Sequence, residues 1–327
     1  MRLAVIICAY TEARWDVLVE AVASVRGQSV PPAELIVVID HNDALLARAR
    51  AALPGATVLA NQRTRGLSGA RNSGIAAASG EIIAFLDDDA RAAPDWLARL
   101  VEGYRDERVL GVGGAIVPRW AGERPAWFPA EFGWVVGCSY LGQPAASAPV
   151  RNLIGANMSV RREVFEAVGG FSDALGRVGT LPEGCEETEL CIRARQHWTG
   201  RFFLHSSAAS VQHLVPATRA RWAYFRARCY AEGISKARVA RLVGTGDGLS
   251  SEWTYTLHVL PGGVLRGLAD GCAGRDRSGF ARAAAIVAGF ACTTAGYVVG
   301  ALRERAVARV GQRTSKAAGA GSPIGAE

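Results

Sequence analysis

The chain has 327 residues, of which half are apolar, 8% aromatic and 20% charged, a globular composition that excludes a mostly disordered or collagen-like polymer. Seven cysteines without a C-x-x-C pair exclude a disulfide scaffold and a structural zinc site. The formal charge of +7 is uneven: residues 1–200 carry 20 Lys+Arg against 23 Asp+Glu, a net of −3, and residues 201–316 carry 17 against 6, a net of +11. That basic third allows anionic membrane, phosphate ligands or nucleic acid as partners.

No charged leader and cleavage site precede Leu3–Ala9, which is expected to be a first strand of a protein kept in the cytosol. Trp15, Leu18, Val19 and Val22 follow at helical spacing. Then come a strand at Leu35–Ile39, a helix at Leu45–Leu53, a strand at Thr57–Ala60, a helix N-capped by Ser68, and a strand at Ile82–Leu86. Continuous apolar runs alternating with helices predict a parallel sheet covered on both faces, whose ligands bind beyond the carboxyl ends of the strands. Those ends are Tyr10 to Glu12, Asp40 to Asp43, Asn61 to Gly69, and Asp87 to Asp89.

After a helix opened by Pro94-Asp95-Trp96, the Gly-, Pro- and Trp-rich stretch Gly111–Pro149 predicts a long functional loop. Regular elements resume over Asn152–Val160, a helix over Arg162–Val168 ended by Gly169-Gly170, and a helix over Glu187–His197. Strands at Phe202–Leu204 and Ala208–Val211 precede an Arg-rich helix from about Thr218 to Val243. Ala283–Leu302 is then an uncharged run flanked by Arg282, Arg303, Arg305 and Arg309, long enough to cross a bilayer. Upstream, Trp253–Ala269 reads as an interfacial helix. Packing of both helices on the catalytic domain is the alternative, and the last residues read as a disordered tail.

The first strand is not followed by G-x-G-x-x-G, and neither a P-loop nor a G-x-S-x-G elbow occurs, so dehydrogenase, ATPase and esterase chemistry lose their support. Three successive carboxylates, Asp87, Asp88 and Asp89, end a strand and need positive charge to offset their repulsion; a hard divalent cation shared with phosphates supplies it. Alone, the triplet also suits a solvated turn. Arg71 and Asn72 in the first turns of the preceding helix form an anion site beside it.

Ile6 to Tyr10, Glu34 to Asp40, Gly66 to Gly74, Asp87 to Asp89, Ile154 to Ser159, Gly169-Gly170-Phe171 and Glu186 to Leu190 together resemble the ordered motifs of family 2 glycosyltransferases over about residues 3–215. The resemblance implies an α/β GT-A fold with a Rossmann-like, mostly parallel sheet, a nucleotide-diphospho-sugar donor and inverting transfer assisted by Mg2+ or Mn2+. It places Ala9, Tyr10, Glu12, Asp40, Arg71, Asp87, Asp88 and Asn157 at the donor, Asp89, Asp87 and His213 at the metal, and Glu187, with Glu186 second, as general base. The family usually has Glu-Asp at this pair, so Glu187 carries an extra methylene at a position where placement is demanding. His213 alone is equally an ordinary packed histidine.

Trp127 and Trp134 offer aromatic faces to an acceptor. Arg219, Arg221, Arg226 and Arg228 form either a solvated basic face or a grip on an acceptor phosphate or anionic headgroups. The stretch from Trp127 to Glu187 also resembles transferases that add glucuronic acid to dolichyl-phosphate-linked glucose. The expected organisation is a catalytic domain at 1–215, a basic helical extension at 216–248, membrane-associated helices at 249–310 and a tail at 311–327. The expected protein is a UDP-sugar transferase on the cytoplasmic face of the membrane, with or without one C-terminal span. It acts on a hydroxyl of a lipid-linked or cell-envelope glycan and does not bind nucleic acid. Its rivals are a polyprenyl-phosphate sugar synthase and a non-catalytic nucleotide-binding scaffold.

Overall fold

The computed structural model describes residues 1–177, 184–244, 246 and 254–319, with side chains to 306. Glu183 and Trp253, which the sequence places in the acidic segment and the interfacial helix, lie outside the described residues.

The first half alternates as expected: β1 (Leu3–Ala9), α1 (Trp15–Arg26), β2 (Glu34–Ile39), α2 (Asp43–Ala52), β3 (Thr57–Ala60), α3 (Leu67–Ala77) and β4 (Ile82–Asp87). β1 pairs in parallel with β2 and β4, and β2 with β3. The apolar residues of β1, β2 and β4 are buried on both faces, with Leu18, Ala21, Val22 and Val25 of α1 covering one of them, and those of the edge strand β3 are partly exposed. α3 lies so close to the other face that a Cβ on Gly74 would stand 2.7 Å from Ile6 Cγ2. It begins after Gly66, at φ +125°, not at a Ser68 cap; the Ser68 hydroxyl instead donates to the Leu175 carbonyl at 2.7 Å.

β5 (Ala90–Ala92), α4 (Trp96–Gly103), β6 (Val109–Trp120), β7 (Ala148–Val150), β8 (Asn157–Arg161), α5 (Arg162–Val168), α6 (Glu186–His197) and β9 (Phe202–Val215) complete the sheet and the helices packed on it. Among the described residues the sheet order is β3-β2-β1-β4-β8-β6-β9-β5, with β7 paired to β9. The loop expected from Gly111 is in its first part the 12-residue strand β6. Its glycines serve close packing: a Cβ on Gly114 would stand 1.7 Å from the Ala209 carbonyl oxygen, and one on Gly111 2.5 Å from that of Ser159. β9 likewise runs unbroken through both predicted segments.

The carboxyl ends of β1, β2 and β4 present Ala9, Asp40 and Asp87 side by side. β9 completes this edge: Ala90 pairs with His213, and Leu214 N donates to the Asp89 carbonyl at 2.8 Å.

α7 (Trp222–Val243) leads to a π-helical turn at Tyr255–Val259, α8 (Leu260–Cys272) and the long α9 (Ser278–Gly319). α9 is long and apolar enough to cross a membrane, yet it lies along α7. A Cβ on Gly233 would meet the Thr293 carbonyl at 2.0 Å, one on Gly296 the Tyr230 carbonyl at 2.0 Å, and Glu304 pairs with Arg238 and Arg241. The tail expected from 311 is helical to Gly319, where alanines and Lys316 favour continuation, and residues 320–327 lie outside the described residues.

Gly114→Ala forces an added methyl against a buried carbonyl, so we expect a loss of about 1–3 kcal/mol in urea unfolding, against little change for Gly122→Ala, which has open space around it.

Candidate active site

Three aspartates at the end of β4 meet four basic side chains, Arg71 at Asp87 and the other three at Asp88 and Asp89. Asp88 and Asp89 are buried; Asp87 is partly exposed. Arg14 Nη1 lies 2.8 Å from Asp88 Oδ1 and 3.3 Å from Asp89 Oδ2, His213 Nε2 lies 3.1 Å from Asp89 Oδ1, and Arg219 Nη2 lies 3.7 Å from Asp89 Oδ2. Burial opposes the charge on Asp89, but His213, Arg14 and Arg219 hold it well below the usual carboxylate range. Asp88 goes the other way: burial first, and then repulsion from Asp89, push it up to about 7. Burial works against protonation of His213 too, but Asp89 outweighs it and raises the imidazole to about 10.

Ligand atoms of Asp87, Asp89 and His213 all lie within 4.8 Å of one another, as a shared cation requires. Two carboxylates and an imidazole fit a divalent ion, and the buried Asp88 Oδ2 beside them has no hydrogen-bond partner. His213 must give up its proton before its nitrogen can serve as a ligand.

The acidic pair opens α6 immediately after Cys185, a non-glycine residue held in the left-handed region at φ +72°. Glu186 is buried and accepts Arg71 Nη1 at 2.8 Å through Oε1; Arg71 Nη2 lies 3.4 Å from Asp87 Oδ1. Arg71 was expected against base or diphosphate. It is instead 2% exposed, tied to both carboxylates, and seated near the rings of Phe85 and Phe171 at 5.8 and 5.2 Å. Gly155 makes room for it, since a Cβ there would lie 2.5 Å from Arg71 Nη2. Glu187 is only partly buried and faces the adjoining cavity with Oε2 unpartnered; burial first, and then Glu186, push its carboxyl up to about 8.

A cavity of about 260 Å³ at the strand ends is lined by Ala9, Tyr10, Asp40, the three aspartates, His213 and Arg219. Asp40 is also anchored, accepting Asn61 Nδ2 at 2.7 Å and Gly66 N at 3.0 Å, which fixes the loop between β3 and α3. Glu12 is exposed and outside this cavity. Asn157, expected at the donor, is fully buried instead: its amide donates to the Ala115 and Ala209 carbonyls at 2.9 Å each and accepts Trp96 Nε1 at 2.8 Å. It is a strand staple, because those interior groups would otherwise lack partners.

A second cavity, about 610 Å³, meets the first at Leu67, Asp87 and Arg177. Glu186 and Glu187 line it together with Trp134, Arg228, Glu232, Tyr255 and Phe290. Of the four residues expected to bind acceptor, only Trp134 belongs to it. Trp127 packs edge-on against Trp222 and Phe225, Arg219 sits in the smaller cavity against Asp89, and Arg221 is exposed at the start of α7. Sequence reasoning missed Arg14 and Arg177, which belong to no local motif, and the wall formed by Tyr255 and α9.

A family model described as Glycosyl transferase family 2 matches residues 4–169. The glucosyl-dolichyl phosphate glucuronosyltransferase of Haloferax volcanii is 34% identical over 72% of this chain and 76% of that protein. The succinoglycan biosynthesis protein ExoM of Rhizobium meliloti is 27% identical over 77% and 78%. Among solved structures, the mannosyltransferase PcManGT of Pyrobaculum calidifontis, in complex with GDP-Man and Mn2+, superposes with a TM-score of 0.57 at 21% identity, over 89% of this chain and 86% of that one. The fold is thus GT-A-like.

Because Asn157 serves the interior, Asn157→Ala is expected to lower stability by about 1–3 kcal/mol in chemical denaturation while leaving nucleotide affinity of the folded protein unchanged in calorimetry. A selective loss of nucleotide binding would return Asn157 to the donor site.

Proposed function

The chain belongs to glycosyl transferase family 2 and is a glycosyltransferase, and we propose that it moves a sugar from a UDP-linked donor, with inversion, to a hydroxyl of a lipid-linked or cell-envelope glycan. One observation carries the reading. The carboxylates suited to a divalent ion and the partly exposed Glu187 open into two cavities that meet at Asp87.

In this reading the smaller cavity takes the donor, with the nucleoside against Tyr10 and Asp40 and the diphosphate against Asp87, Asp89 and His213. A divalent cation bound there supplies positive charge for the departing diphosphate. The imidazole in the donor set favours Mn2+ over Mg2+, which prefers oxygen ligands throughout. The acceptor enters the larger cavity, where Trp134 offers a ring face and Glu187 takes the hydroxyl proton as the oxygen attacks the anomeric carbon from the side opposite the leaving group. Glu186, held by Arg71, orients its neighbour and stabilises the arrangement, so Glu187 is the base. UDP is chosen over GDP or dTDP on the motif resemblance around Asp40, and the dolichyl-phosphate relative supports a lipid-linked acceptor.

We also place the protein on the membrane surface at its cytoplasmic face. Leu265 and Leu268 of α8 and Val287, Val298 and Leu302 of α9 are exposed, while the opposite side of α9 is occupied by α7. A helix docked lengthwise on a charged helix suits an in-plane position better than a span.

Calorimetry with UDP-, GDP- and dTDP-sugars, with and without Mn2+, tests the donor assignment. We expect metal-dependent binding of a UDP-sugar that is lost in Asp89→Ala, and no binding by any donor to folded protein would overturn it. Glu187→Gln is expected to lower kcat by roughly 100- to 10,000-fold. A mild loss would instead favour a phosphate acceptor, which is already ionised, as in a polyprenyl-phosphate sugar synthase.

The raised Glu187 carboxyl sets two pH effects. Turnover needs it ionised, so kcat/KM should rise with pH up to about 8. In stability the sign reverses. The native state keeps a proton that the unfolded chain loses near 4.5, so stability should fall as pH rises from there through about 8, and Glu187→Gln should flatten that slope. Finally, Leu265→Glu with Val287→Glu should reduce flotation with anionic liposomes; full retention of binding would remove this face as the membrane contact.

A further inference from the structure

Where the two cavities meet, positive charge is left over. Arg177 lines both cavities, and no side chain among the described residues hydrogen-bonds to its guanidinium. Burial first, and then the nearby charges of Arg228 and Arg219, press its pKa downward by more than Asp87 raises it. Arg228, on α7, is 8% exposed and lines the larger cavity. Its Nη1 donates to Glu232 Oε2 at 2.7 Å and its plane faces the Trp134 ring at 5.7 Å, but its buried Nε has no partner. A Cβ on Gly184 would lie 3.4 Å from Arg228 Nη2, so this guanidinium stands against the segment that carries Cys185, Glu186 and Glu187.

The rest of the cavity changes character away from this point. Toward the C-terminal helices its lining is mixed, with the rings and aliphatic chains of Tyr255, Val259, Leu260 and Phe290 beside the hydroxyls of Thr293 and Thr294. Phe290 both lines the cavity and is 44% exposed, about one helical turn after the outward Val287. A ligand filling this space therefore needs an anion at one end and a hydrocarbon at the other, and must leave through the apolar side of the protein.

We propose that Arg228 and Arg177 bind the phosphate of an isoprenoid-phosphate-linked acceptor, whose hydrocarbon chain leaves past Phe290 onto the exposed face of α8 and α9. This rests on the lipid-linked acceptor reading above and assigns its anchoring residues. Two guanidinium groups offer a tetrahedral phosphate several charge-assisted hydrogen bonds, and the unpartnered Nε gains the acceptor it lacks. Anchoring the phosphate beside Gly184 also fixes the distance from the lipid headgroup to Glu187, so that the sugar hydroxyl carried by the phosphate, not the phosphate itself, reaches the base.

The test is direct binding to the full chain in detergent, with farnesyl phosphate, farnesol and UDP with Mn2+ as probes. Farnesyl phosphate should bind at least about tenfold more tightly than farnesol, as charge-assisted contacts imply. Arg228→Gln should erase that preference while farnesol and UDP affinities stay, and Arg228→Lys should restore part of it. Because Arg228 also holds Glu232, Arg177→Gln is the second variant: it breaks no ion pair among the described residues and should likewise reduce the preference for farnesyl phosphate over farnesol. Equal binding of farnesyl phosphate and farnesol by the native protein would overturn the proposal. So would an undiminished preference in both variants, or displacement of farnesyl phosphate by UDP, which would put the phosphate in the donor cavity. None of these readouts needs turnover, so a failed donor assignment and a failed phosphate site are told apart.

Discussion

The buried guanidinium of Arg71 is the constraint on which the rest of the site depends. It reaches from α3 to Asp87 on the following strand β4 and to Glu186 on α6, 115 residues away, and it does so from a seat bounded by Phe85, Phe171 and Gly155. Removing a buried charge from water is costly unless its partners are fixed, and here two carboxylates from different elements fix it. The cost is thus turned into geometry: the end of the sheet and the start of α6 cannot move apart without stranding a charge in the interior. Burial alone would weaken the protonated form of Arg71, and its acidic neighbours, Glu186 foremost, more than offset that.

The consequence reaches the two glutamates unequally. Glu186 spends its charge on Arg71, while Glu187, one position on, lies farther from that cation and feels both burial and its neighbour's charge. Two chemically identical side chains are thereby given different partners: Glu186 holds a buried cation, and Glu187 faces the cavity with a raised carboxyl. At the aspartate triplet the same logic works with more cations. Arg14 divides its contacts between Asp88 and Asp89, and His213 and Arg219 attend only to Asp89. Asp89 is thereby kept ionised while burial and its neighbour's charge raise Asp88, and the ligand atoms that cluster are those of Asp87, Asp89 and His213.

The legibility of all this in the sequence follows the range of the interactions. Continuous apolar strands with polar residues at their carboxyl ends announce themselves locally, so Asp40 and Asp87 are placed by pattern alone. His213 is not legible that way: only the antiparallel pairing of β5 with β9 puts it against Asp89, and the motif resemblance, not the spacing, points to it. Asn157 misleads because an amide that staples strands looks in sequence like one that binds a sugar. The glycines of β6 read as loop because their use, close approach to Ser159 and Ala209 backbone, involves segments dozens of residues away. The larger cavity is least legible of all, since its walls come from the Trp134 region, α6, α7 and α9, and no periodicity in any one of them records the others.

That assembly also explains why the C-terminal helices belong to the chemistry and are not a mere appendage. Glycines at 233 and 296 let α7 and α9 approach to backbone contact, which draws Phe290 and Tyr297 to the cavity that Glu187 faces. The same α7 carries Arg228 on its cavity side and Arg238 and Arg241 toward Glu304 of α9. One helix therefore couples the acidic pair to the apolar face. A free-standing span would give the bilayer an anchor without telling the catalytic centre where the membrane lies. Under the proposed function a helix fixed along α7 does both, because any displacement of α9 shifts the wall of the cavity that Glu187 faces.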